Sequence, residues 1–104
     1  MQTFNEKSAL TFDFAIRDRT GAATYGTTLE YTLRNLTADE TAIAWTSVTP
    51  ASDVTVNLSA QYVTIDDDSN ARELYELTVV SDRGLSTEIS QRVRFYVRNL
   101  SART

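Results

Sequence analysis

The chain alternates between apolar and polar residues. Leu10, Phe12, Phe14 and Ile16 are interleaved with Thr11, Asp13 and Ala15. Leu29, Tyr31 and Leu33 alternate with Thr28, Glu30, Thr32 and Arg34, and Val54, Val56 and Leu58 with Thr55 and Asn57. Tyr75, Leu77 and Val79 alternate with Glu76 and Thr78. A period of two sets apolar side chains on one face of a pleated strand and polar ones on the other. Thr, Val and Tyr recur throughout, and they suit such a surface. The pattern predicts seven strands, over 8–16, 27–36, 41–48, 53–58, 61–66, 72–80 and 90–99. Asp18-Arg19-Thr20-Gly21 and Ser81-Asp82-Arg83-Gly84 read as type I turns, with Asp or Ser first and Gly fourth. Pro50 ends the third predicted strand, because proline has no N–H to give a ladder. Short strands without crossover helices predict an all-β fold, an antiparallel β-sandwich of about seven strands.

A length of 104 residues fits one domain over 1–104. The net charge of −4 works against broad binding to nucleic acid or to an anionic membrane. No apolar run reaches the length of a bilayer span, and no basic segment followed by an apolar one opens the chain as a signal peptide does. The chain has no cysteine, so disulfide and thiolate chemistry are excluded, which suits a reducing cytoplasm. Asn-Leu-[Ser/Thr] occurs at Asn35, Asn57 and Asn99, and without export these read as chance sequons. Arg-Asn-Leu-[Thr/Ser] occurs at both 34–37 and 98–101, too short to count as a repeat.

Few routes to catalysis remain. The absence of histidine excludes His-dependent triads and His-ligated metals. Gly21, Gly26 and Gly84 are too scattered for a phosphate loop, and Lys7 is the only lysine. No pair of carboxylates is set across a recognisable cleft, so we expect no enzyme and no cofactor. Asp66-x-Asp68-x-Asn70 places oxygen ligands at alternate positions, as a calcium loop does. Ala71 and Leu77 stand where an EF-hand needs Gly and Glu, so we read a turn in which Asp and Asn bond their own backbone, and no metal site.

The last predicted strand carries a row of arginines. Alternation turns Val93, Phe95 and Val97 inward and Arg92, Arg94, Tyr96 and Arg98 outward. The preceding strand should pair with it and present Leu74, Glu76, Thr78 and Val80 on the same face. Glu76 should then meet Arg94 or Tyr96, with Glu73 or Glu88 reaching arginines at the edges. One reading is a solvated face with weak ion pairs. The other is an interaction face made of Arg92, Arg94, Tyr96, Arg98, Leu74 and Glu76, because Arg and Tyr are enriched where proteins meet. Nucleic acid ranks below both, since the row lacks lysines and contains Glu76.

Leu33, Trp45 and Tyr75-Glu76-Leu77 follow one another in the order of the immunoglobulin-like sandwich. That family has a core residue on its second strand, a core Trp on its third and a Tyr two residues before a core position on its sixth. The chain resembles that family without its cysteines, for which Leu33 and Leu77 stand in. The resemblance implies an immunoglobulin-like fold with Trp45 inside, and leaves Tyr25 and Tyr62 open as exposed rings. "AWTSVTPASDVTV" and "LTVVSDRGLSTEISQRVRFYVRNL" resemble small immunoglobulin-like virion proteins of tailed phages, whether head decoration or tail-associated. The implied function is a non-enzymatic structural or adhesion module. It would bind neighbouring virion or other assembly proteins, or itself, after assembly in a bacterial host cytoplasm. It would contact neither nucleic acid nor membrane. The alternative is a carbohydrate-binding module that uses Trp or Tyr rings as sugar platforms.

Overall fold

The computed structural model describes residues 1–100. It is all-β, with two facing sheets. The strands are β1 (Gln2–Asn5), β2 (Leu10–Ala15), β3 (Leu29–Asn35), β4 (Glu40–Val48), β5 (Asp53–Leu58), β6 (Arg72–Ser81) and β7 (Ile89–Arg98). One sheet has the order β1-β7-β6-β3-β4 and the other pairs β2 with β5. All pairings are antiparallel except β1 with β7, which is parallel. Inward residues of both sheets form the shared core, among them Phe14, Val56, Leu33, Leu77 and Phe95. Phe95 lies at its centre, with ring centroids 5.2 Å from Phe12 and 5.7 Å from both Phe4 and Tyr75.

Two predicted elements change. β1 has a single large apolar residue, so alternation gives it no signature. Phe4 packs edge-on against Phe12 and Phe95, and this holds the strand beside β7. The segment 61–66 is no strand. A short 3-10 turn covers Ala60–Tyr62, and the chain then crosses the end of the sheets. Its backbone groups are used elsewhere: the Val63 carbonyl accepts from Lys7 N at 2.6 Å, and the Thr64 carbonyl from the Tyr75 hydroxyl at 2.6 Å. Val63 is fully buried, so the apolar residues that suggested a strand instead anchor a connection.

Trp45 is not in the core; it is 39% exposed. Tyr31 pairs with Thr46 but Leu33 with Ile43, so β4 spends one residue more than β3 over this stretch. That bulge reverses the alternation. Ile43 and Val48 pack against the core, and Trp45, next to the Thr46 that faces Tyr31, turns outward. With β1 counted, Leu33 lies on the third strand and Trp45 on the fourth, one later than the order read from the sequence.

The inner face of β6 runs Glu73, Tyr75, Leu77, Val79, Ser81, apolar in the middle and polar at both ends. At one end Glu73, 1% exposed, accepts four N–H donors. Its Oε1 takes Asn35 Nδ2 and Asp66 N, each at 2.8 Å, and its Oε2 takes Asn70 Nδ2 at 3.0 Å and Asp67 N at 3.1 Å. Burial pushes its pKa up, but the four donors outweigh burial and hold the carboxyl below its ordinary value. At the other end Asp82 Oδ1 accepts Thr27 N at 2.8 Å, Thr27 Oγ1 at 3.2 Å and Thr28 N at 3.3 Å. The Thr87 hydroxyl donates to its Oδ2 at 2.7 Å, and this bond leads in holding its pKa down against burial. A Cβ at Gly26 would lie 2.0 Å from that Oδ2, so only glycine lets the chain pass this close.

Both carboxylates have lowered pKa values, so each adds stability that is complete above its ordinary value, 4.5 for Glu73 and 3.8 for Asp82. That stability is lost as pH falls through the lower, folded value. Urea midpoints should therefore be level near neutrality and fall below about pH 4, and Glu73→Gln should flatten the fall. An unchanged acid limb in that variant would show that Glu73 does not carry it. Trp45→Ala should cost about 1 kcal/mol or less, against about 3–5 kcal/mol for a core Trp. Urea melts of the single variant decide between the two.

Candidate functional site

β6 and β7 pair residue for residue, so their outward side chains form facing rows. Arg72 lies opposite Arg98, Leu74 opposite Tyr96, Glu76 opposite Arg94, and Thr78 opposite Arg92. The six residues expected on this face, Arg92, Arg94, Tyr96, Arg98, Leu74 and Glu76, therefore share it. Arg94 Nε donates to Glu76 Oε2 at 2.9 Å. The Arg94 side chain is 54% exposed and that of Glu76 is 13% exposed, so this is a surface pair worth under about 1 kcal/mol.

Two further arginines join the face. The Arg72 guanidinium sits 4.0 Å from the Tyr96 ring centroid, a cation–π contact. Arg34, on β3, lies opposite Glu76 and reaches Asp39 Oδ1 at 2.8 Å. Both were visible as outward positions of alternating strands. Placing Arg34 beside the row also needed the strand order, in which β3 neighbours β6. At the far end Arg83 NH2 pairs with Glu30 Oε2 at 3.1 Å, and its guanidinium lies 4.3 Å from the Trp45 ring centroid.

Other expectations need correction. Val80 adds no exposed apolar surface, being 4% exposed beside Glu30 at the end of the face where Arg83 lies. Glu73 meets no arginine of the row, because it shares the parity of Tyr75 and turns inward. Glu88 accepts Gly84 N at 2.8 Å within the β6–β7 connection.

The face is positive on an acidic chain. Arg34, Arg72, Arg83, Arg92, Arg94 and Arg98 stand against Glu30, Glu76 and the Asp39 that pairs with Arg34, a surplus of three positive charges. The chain total is −4, so the remainder carries −7. On the outer side of the β2–β5 sheet, Asp13 accepts the Thr55 hydroxyl at 2.6 Å and Asp53 pairs with Arg17 at 3.3 Å.

The connection with three aspartates is built around Glu73. Asp67 Oδ1 accepts Ser69 N at 3.0 Å and the Ser69 hydroxyl at 2.7 Å, and these bonds lower its pKa. Asn70 gives its amide to Glu73. Asn99 Nδ2 donates to the carbonyls of Asp68 and Asn70 at 3.2 and 3.1 Å. The Asp66 carboxyl lies beside that of Glu40, and the interaction between the two raises the Glu40 pKa. Among the described residues no group of three His, Cys, Asp or Glu side chains is placed to hold a metal. The two Arg-Asn-Leu segments share a role: Asn35 and Asn99, at the ends of β3 and β7, turn inward and tie this connection to the sheet.

No family model, curated protein or solved structure matches the chain.

Chelation with EDTA should leave the melting temperature unchanged, while Glu73→Ala, which strands four donors, should cost about 3 kcal/mol or more. A calcium-dependent rise of several degrees would instead place a bound ion in the 66–70 connection, since a ligand of the native state adds stability.

Proposed function

We propose that the chain is an immunoglobulin-like β-sandwich that works as a non-enzymatic structural or adhesion module, docking through its arginine face onto a carboxylate-bearing protein surface. Two features support the fold class. The neighbours β3, β6 and β7, facing β2 and β5, follow the order in which strands C, F and G face B and E in that family. Tyr75, two positions before the core residue Leu77, gives its hydroxyl to an upstream carbonyl in the manner of a tyrosine corner, over 11 residues where that motif spans a few. A docked protein of a tailed-phage virion, on the head or the tail, is the setting this module suits.

The observation that carries the function is the outer face of the five-stranded sheet. It combines Arg and Tyr anchors with a local positive surplus on a negative chain, which steers an acidic partner to one side. Exposed Trp45 favours the sugar-binding alternative at first sight. The Arg83 guanidinium already lies against that ring, where a stacked sugar would sit.

Arg94→Glu and Tyr96→Ala should each leave the melting temperature within about 2 °C of the parent, since neither side chain enters the core. Each should weaken co-sedimentation with the parent assembly by about 2 kcal/mol or more. Glu76→Arg combined with Arg94→Glu restores the intramolecular pair and should not restore docking. Docking that survives both single changes would reduce the row to a solvated sheet face.

A further inference from the structure

A second surface lies at the end of the molecule where the β2–β3 connection meets the β6–β7 connection. Here a cavity of about 670 Å³ opens between residues 17–26 and 81–89. Its volume falls in the range of small-molecule sites. The walls are held by the Asp82 bonds to Thr27, Thr28 and Thr87 and by Ser81 Oγ, which accepts Gly26 N at 2.8 Å. Asp18 fixes the first loop, its Oδ1 accepting Thr20 N at 2.8 Å and Ala22 N at 3.1 Å. The cavity is therefore formed before any ligand arrives.

The groups left over define what it takes. Tyr25, 58% exposed, lines the cavity and supplies its one aromatic ring. The Arg19 guanidinium and the Ser86 hydroxyl have no partner among the described residues, and both line the cavity. Asp18 Oδ2 and Glu88 Oε2 are acceptors without a donor, because the bonds to these side chains all fall on the other oxygen. The cavity thus holds spare donors, spare acceptors and an apolar platform. Its charged residues, Arg17 and Arg19 against Asp18, Asp82 and Glu88, nearly balance. An anion gains little from that balance, and a purely apolar ligand would leave the polar groups unmet. A neutral polyhydroxylated ring satisfies all of them, its hydroxyls both giving and accepting bonds and its C–H face lying on the tyrosine.

We propose that this cavity binds a neutral glycan, with Tyr25 as the stacking platform and Arg19, Asp18, Ser86 and Glu88 reading the hydroxyls. The site lies beyond the strand ends, and none of Arg92, Arg94, Tyr96, Arg98, Leu74 and Glu76 lines it.

The test is a titration of the isotope-labelled chain, read by amide chemical shifts. The probes are neutral trisaccharides of glucose, galactose, mannose and N-acetylglucosamine, with a uronic-acid trisaccharide as the charged comparison. At least one neutral sugar should shift amides in 17–28 and 82–89. Tyr25→Ala, with its melting temperature unchanged, should weaken that binding about tenfold or more, and Glu88→Gln should weaken it as well. The proposal is overturned by no shift at about 10 mM of any neutral sugar, by shifts elsewhere on the chain, by preference for the uronic acid, or by binding indifferent to Tyr25→Ala.

Discussion

Glu73 is a carboxylate buried at the end of a core strand and met by four N–H donors rather than by a cation. A charge in that position is tolerated only when its lone pairs are filled. Filling them requires the 64–71 connection to fold back over the end of the sheets, bringing the N–H groups of Asp66 and Asp67 onto the carboxylate. The same fold-back places the Thr64 carbonyl over the Tyr75 hydroxyl and buries Val63. A connection with few apolar residues is thereby ordered by polar bonds. Asp82 has the same role at the opposite end of β6, so the central strand is closed at both ends by an anion that organises a loop.

Alternation was the part of the sequence that read most directly, because it needs no knowledge of which strand neighbours which. It placed Arg92, Arg94, Tyr96 and Arg98 on one face, and the turn after β6 made Glu76 their neighbour. It failed where another interaction overrode the period of two. The β4 bulge turned Trp45 from the inner face to the outer one, and a bulge of one residue leaves no mark in a run such as Ala42-Ile43-Ala44-Trp45. β1 has too few apolar residues to register at all. The segment 61–66 has enough of them, but its carbonyls go to a turn and a side chain. Glu73 was legible in principle, since its parity with Tyr75 turned it inward. Its meaning required seeing that the four donors converge on it.

The two polar closures also leave both proposed surfaces free of structural duty. Loops held by neutral donors around a buried anion need no ion pairs from the sheet face. The outer face of the five-stranded sheet can therefore carry charge that the fold does not use. Each end loop keeps a fixed shape, which a ligand site needs if it is not to spend binding energy on ordering the chain.

The arginine row is the clearest case of charge without a structural use. Arg94 has Glu76 and Arg72 has the Tyr96 ring, but the side chains of Arg92 and Arg98 have no ion pair among the described residues. Arg72 and Arg98 lie directly opposite one another. Like charges in that relation weaken a pair of strands, which offsets part of what Arg72 gains on the Tyr96 ring. On the proposed reading, carboxylates on a docked partner would reverse the sign of that interaction. They would meet both guanidiniums at once, neither of which forms an ion pair among the described residues. The repulsion borne by the free domain would then be part of what distinguishes the proposed bound state, and the partner best able to relieve it would present acids at the spacing of two adjacent strands.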